Sequence, residues 1–174
     1  MRKFVLVLLL AVSVSAQTPD KTTRVSLFLT NPGFQGNEFL DAGVGVALEH
    51  HFTPRWSVEL EAAREVHDYQ RSIFNPTVIE FNTYPIDVFG RYSFQSTHEA
   101  WRPFLGIGAR YINAPDEPEG ADYDTQMSPE IGAGIEWKAT DSLSLVFDAK
   151  AITRTDAPHW DELLKIQASI GWRF

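Results

Sequence analysis

The feature that most constrains this chain is alternation. From Val25 to Phe174, apolar and polar residues alternate with period two in eight separate segments, and no stretch of useful length shows helical spacing. The segments cover residues 25–29, 44–52, 56–62, 86–94, 104–111, 130–137, 143–150 and 164–174. Their connections alternate in length. Residues 53–55, 95–101 and 140–142 are tight or short, whereas 31–41, 68–77, 114–127 and 155–162 are longer and looser. Short turns at one end and long loops at the other define an up-and-down meander. An even strand number places both termini at the short-turn end. The expected fold is all-β, an eight-stranded antiparallel up-and-down transmembrane β-barrel.

One face of each segment is apolar, as in Val44, Val46, Leu48; Val58, Leu60, Ala62; Leu105, Ile107, Ala109; and Ile166, Ala168, Ile170, Trp172. The other face carries glycine and charge. In this register its acids are Glu49, Glu59, Glu61, Glu65, Asp87, Glu130, Glu136 and Asp148. Its bases are Arg24, Arg91, Arg102, Arg110, Lys138, Lys150, Lys165 and Arg173. A soluble lipocalin-like barrel has the same period with the apolar face inward. Three features favour the charged face inside. Eight acids face eight bases, the balance a closed interior needs. Gly45, Gly106, Gly108, Gly132 and Gly134 lie on the charged face, where they are expected to make room for long Arg and Glu side chains. Aromatic residues gather at the apolar strand ends: Phe52, Trp56, Phe94, Trp137, Trp172 and Phe174 at the short-turn end, and Tyr84 and Tyr111 at the other. Two such girdles mark a membrane barrel.

Two positions strain the pattern. Arg64 falls on the apolar face, which calls for snorkelling near the rim or a register shift at Ala62-Ala63. Pro85 removes a ladder donor from the fourth strand, so a kink is expected there, above the bilayer.

Residues 1–16 read as an address. A basic start at Arg2-Lys3, an apolar run from Phe4 to Val14 and small residues at Ser15-Ala16 are the layout of a secretory signal peptide, leaving 17–174 as the barrel domain. The 15 bases and 23 acids of the chain give −8. Residues 1–16 hold two bases and no acid, so residues 17–174 carry −10. Such acidity makes nucleic acid an unsuitable partner. The absence of cysteine excludes disulfides, thiolate metal sites and a thiol nucleophile.

The segment Arg102-Pro103-Phe104-Leu105-Gly106-Ile107-Gly108-Ala109-Arg110-Tyr111 resembles a recurring strand of small outer-membrane barrels, as does Ile131 to Trp137. The ending Ser169-Ile170-Gly171-Trp172-Arg173-Phe174 is similar to their aromatic terminus. Over residues 17–174 the chain resembles the OmpW/OmpA-like outer membrane β-barrel families, and no peptidoglycan-binding domain of the OmpA type is expected. The resemblance implies residence in the bacterial outer membrane, with loops extracellular and termini periplasmic. It also implies contact with outer-membrane lipid, lipopolysaccharide and the assembly machinery, which reads a terminal aromatic: here Trp172 and Phe174.

Candidate chemistry is sparse. His67, Asp68 and Ser72 supply the residue types of acyl transfer near the outer rim, and His159 with Asp161 offers a second set. The motif of the lipid A deacylase is absent, and a polar loop is the better account of both sets. His50, His51 and His98 lie toward the other end. The acids Asp116, Glu117, Glu119, Asp122 and Asp124 lack EF-hand spacing, so a solvated acidic loop is expected rather than a cation site. No cofactor, metal or catalytic residue is expected. Glu59, Glu61, Asp87, Arg91, Arg110, Glu136, Asp148 and Lys150 are the candidates for ion pairs that close the lumen. The functional expectation is a monomeric, non-enzymatic outer-membrane protein with a structural, surface-interaction or small-solute passage role. The alternatives are a lipid A-modifying enzyme and a soluble ligand-binding barrel.

Overall fold

A computed structural model describes residues 23–31, 42–72, 75–94, 100–115, 126–153 and 162–174, the side chains of 68–72, 75–79, 126, 162 and 163 excepted. Residues 1–22, which include the expected signal peptide, lie outside the described residues, as do residues 32–41 and 116–125 of the long loops.

Nine strands form in chain order: β1 (Thr23–Asn31), β2 (Ala42–His51), β3 (Trp56–Ser72), β4 (Asn75–Thr83), β5 (Ile86–Ser93), β6 (Trp101–Ile112), β7 (Gln126–Lys138), β8 (Leu143–Thr153) and β9 (Glu162–Arg173). Every pairing is antiparallel, and β1 pairs with both β2 and β9, so the sheet closes. β4 and β5 are two halves of one barrel strand broken at Tyr84-Pro85, which makes the barrel eight-stranded. The break has the expected cause: proline cannot donate to the ladder. Instead the Pro85 carbonyl accepts from the Ala63 amide at 3.1 Å, and the Tyr84 amide donates to Asn113 at 2.8 Å.

The register fixes the barrel's geometry. A pairing row from Ala62 runs one way through Ile86 and Tyr111 to Met127. Run the other way, it passes Val46, Leu27, Ile170 and Leu145 and arrives on β7 at Trp137, ten residues from where it met that strand before. With eight strands, that stagger corresponds to a tilt of about 40° and a radius of about 8 Å. Trp101 and Tyr111 are ten residues apart on β6, which at that tilt is about 25 Å along the axis, the height of a membrane barrel's apolar band.

The apolar face points outward. Ile107 is 69% exposed, and Leu29, Val44, Val88, Leu105, Ile131 and Phe147 stand out with it. Every girdle residue expected from the sequence is exposed, and Trp101 joins the short-turn ring, stacked on Trp137.

Of the two accounts of Arg64 the outward one holds, and one loop expectation is corrected. No register shift occurs at Ala62-Ala63, because the β2–β3 ladder is continuous from Ser57 to Val66. Arg64 therefore faces outward, where its Nε donates to Asn82 at 2.9 Å. The shift lies higher, between Gln70 and Ser72. The stretch 68–77 is not a loose loop. β3 runs on to Ser72 and pairs with β4 down to Thr83, so a hairpin rises past Val66, where the pairing with β2 ends.

Candidate functional site

Among the described residues, chemistry concentrates in the interior. Period-two alternation turns one residue in two toward the axis, and those residues are the charged set. All eight acids of that face are buried, as are Arg24, Arg91, Arg110, Lys150 and Lys165. Arg102, Lys138 and Arg173 are only half-buried, at the short-turn mouth. The eight-to-eight count therefore does not describe the enclosed lumen, where eight carboxylates meet five cations.

The charges form two clusters. Toward the long-loop end, Lys150 Nζ donates to Glu61 at 2.8 Å, and Lys165 Nζ donates to Glu61 at 2.9 Å and Asp87 at 2.6 Å. Gln167 adds a third donor to Glu61 at 3.0 Å. Arg110 binds Glu65 and faces Asp87 at 3.7 Å. In the strand order, β3 lies diametrically opposite β8, and β5 opposite β9. The Lys150–Glu61 and Lys165–Asp87 pairs thus cross the full diameter. Toward the short-turn end, Arg24 reaches Glu49 at 2.7 Å, Glu136 at 3.1 Å and Glu59 at 3.3 Å. Arg91 meets Glu59 at 2.5 Å and Asp148 at 3.8 Å, and Arg173 meets Glu136 at 2.5 Å. Glu130 is the exception. It is buried, neither of its oxygens has a hydrogen-bond partner, and unlike Asp148 it enters no ion pair among the described residues.

Between the clusters lies an apolar layer, of which alternation indicates only the inward Phe28. Phe28, Phe89, Phe104 and Val146 are buried inside the lumen, and three of them form a cluster of their own. A cation stands over each ring: Arg91 over Phe104 at 4.3 Å, Lys150 over Phe89 at 4.5 Å and Lys165 over Phe28 at 5.5 Å. These rings, more than the Arg and Glu chains, are what several inner glycines accommodate. A Cβ at Gly45 would run into Phe28, one at Gly106 into Phe89 and one at Gly134 into Phe104. Gly108 and Gly132 also sit beside Glu130 and Lys150, as expected. The missed signal was phase: Phe89 lies between Asp87 and Arg91 on the inward positions of β5.

Of the candidate hydrolytic residues, the described side chains include only that of His67. His67 is buried on the inner face, its Nε2 3.0 Å from Thr83 Oγ1 and its ring stacked on Phe81. The side chains of Asp68 and Ser72 lie outside the described residues. His50 and His51 stand at the short-turn end, beside Thr23 and Glu49. His98, His159, Asp161 and the acidic residues 116–124 lie outside the described residues. Among the described residues no group of three or more His, Asp or Glu is arranged to hold a metal.

A closed eight-stranded barrel with an apolar exterior and an ionic interior defines a class, the small transmembrane β-barrel. The sequence matches the outer membrane protein beta-barrel domain over residues 4–174, and the chain belongs to that family. No curated protein matches it. Among solved structures it is similar to Neisserial surface protein A, with 14% identity, TM-score 0.63, and coverage of 87% of this chain and 97% of that one. It is also similar to Escherichia coli outer membrane protein W, with 15% identity, TM-score 0.53, and coverage of 90% and 100%. A de novo designed transmembrane β-barrel is similar at 14% identity and TM-score 0.58, with coverage of 90% and 98%. At such identities the likeness is one of fold.

Proposed function

We propose that the protein is a monomeric, non-enzymatic anchor of the bacterial outer membrane that displays its long loops outside the cell and keeps its termini in the periplasm. The observation that carries this reading is the crossed lumen. Ion pairs between opposite strands and three stacked Phe–cation contacts fill an interior only about wide enough for side chains. Solute passage is therefore the weakest of the roles open to the fold, and presentation of the loops and the β3–β4 hairpin to lipopolysaccharide or a surface partner the strongest. The test combines three measurements. The purified barrel in a planar bilayer should give no steady conductance. An epitope at Gly120 should be labelled on intact cells. Lipid A from a deletion strain should keep its acyl-chain masses. Discrete channel openings, labelling only after permeabilisation, or a mass shift would each overturn the corresponding part.

A further inference from the structure

The short-turn mouth of the lumen holds more cations than its ion pairs employ. Arg102 on β6, Lys138 on β7 and Arg173 on β9 each directly follow a tryptophan, at Trp101, Trp137 and Trp172. All three tryptophans are exposed and all three cations half-buried. Alternation turns each ring to the outer belt and each cation into the mouth. The pairing rows hold the group together. Trp101 is opposite Trp137, Lys138 opposite Ser144, and Ser144 opposite Gly171, two residues before Arg173.

The local charge is unbalanced. Lys138 faces the like charges of Arg102 and Arg173, with Glu136 and Asp141 as the nearby acids. Glu136 is already bound by Arg24 and Arg173. Among the described residues, Arg102 and Lys138 enter no ion pair. Two further donors at this mouth are buried without a hydrogen-bond partner: Ser144 Oγ and Arg173 Nε. Like charges held together repel, and an anion placed among them removes the repulsion. Guanidinium forks match oxyanions in two-point contacts, while a lysine adds a compact charge.

We propose that Arg102, Lys138, Ser144 and Arg173 form a binding site for a phosphate-class oxyanion at the short-turn mouth. The three tryptophans set its depth at the membrane interface, where headgroup phosphates lie. The phosphate comes either from an anionic phospholipid at that depth or from a free solute in the aqueous phase below.

The test compares the folded full-length barrel with the double variant R102Q/K138Q. Neither side chain makes an ion pair among the described residues, so the variant should keep the wild-type heat-dependent gel shift. In non-ionic detergent, inorganic phosphate is titrated by calorimetry. In nanodiscs of phosphatidylcholine with and without phosphatidylglycerol, retained lipid is counted by native mass spectrometry. Phosphate binding at least tenfold weaker in the double variant supports the site and a free-solute source. Preferential retention of phosphatidylglycerol, lost in the double variant and without phosphate binding, supports the site and a lipid source. The single variant K138Q should fall between, and R64Q, on the outer wall, should match wild type. Absence of both signals in wild type, or an unchanged double variant, overturns the proposal.

Discussion

The two halves of the lumen use the same residue types differently. In the long-loop half, Glu61, Glu65 and Asp87 meet Lys150, Lys165 and Arg110, Glu130 stands beside them without a hydrogen bond, and every one of these is buried. In the short-turn half, Glu49, Glu59 and Glu136 meet Arg24 and Arg91, and the remaining cations, Arg102, Lys138 and Arg173, spill into the open mouth. Asp148 sits at the boundary, 3.8 Å from Arg91. The inner-face tally of eight and eight therefore hides a polarity, acidic toward the loops and basic toward the turns. Enclosure decides what each charge is worth. A buried ion that loses its partner costs several kcal/mol, whereas a half-exposed one is screened by water.

The largest effect expected from breaking this contrast is Glu61→Ala. It strips Lys150 and Lys165 of a shared partner, and both lysines are 0% exposed. The loss should be about 3–5 kcal/mol, read as a lower temperature for the heat-dependent gel shift in detergent. An unchanged transition would mean the two lysines do not depend on this carboxylate.

Next is Phe89→Ala, expected to cost about 3 kcal/mol as a buried ring is replaced by a void and Lys150 loses its aromatic face. The same measurement applies. Gly106→Ala should also destabilise, because its Cβ would meet that ring, and combining the two should cost less than their sum. Strict additivity would show that the ring is not what the glycine accommodates.

Arg110→Ala is expected to be milder than Glu61→Ala. It leaves Glu65 without its arginine, but Asp87 keeps Lys165. A cost equal to that of Glu61→Ala would show that the Glu65 pair carries more of the upper half than its position suggests.

Glu130→Gln should have the smallest effect, unchanged or slightly more stable, because the carboxylate has no hydrogen bond to lose. A clear drop in the transition temperature would reveal a partner for Glu130.

Assembly is a separate matter. Deleting Phe174 is expected to lower outer-membrane yield on fractionation, since its exposed ring ends the strand that closes on β1. Normal yield would refute that role.

The sequence carried most of the architecture because a barrel wall writes its inside and outside onto alternate residues. Strand number, closure, the outward apolar belt and the inner charge set all follow from that period. It could not convey what depends on depth. Arg102 and Arg110 share one face of β6 and one chemistry, yet one stands at the mouth and the other is buried; only the stagger between strands separates them. Phe89 was equally hidden, because an apolar residue in phase with charges reads as noise until its ring is seen under Lys150. The stretch 68–77 was misread because Asp68, Asn75 and Pro76 are turn-forming residues, whereas cross-strand pairing carries the backbone through most of it as a hairpin.

That hairpin has a mechanical consequence. β3 is a single strand of 17 residues, shared between the barrel wall and the projecting arm. Tension applied at the arm's tip is transmitted along β3 into two ladders at once, ten pairs with β2 and seven with β5. These ladders lie beside the direction of pull, so they are loaded in shear, and many hydrogen bonds must yield together rather than one after another. The arm is thus tethered to the wall as a lever is to its mounting, and a load on the arm would be borne by the barrel as a unit.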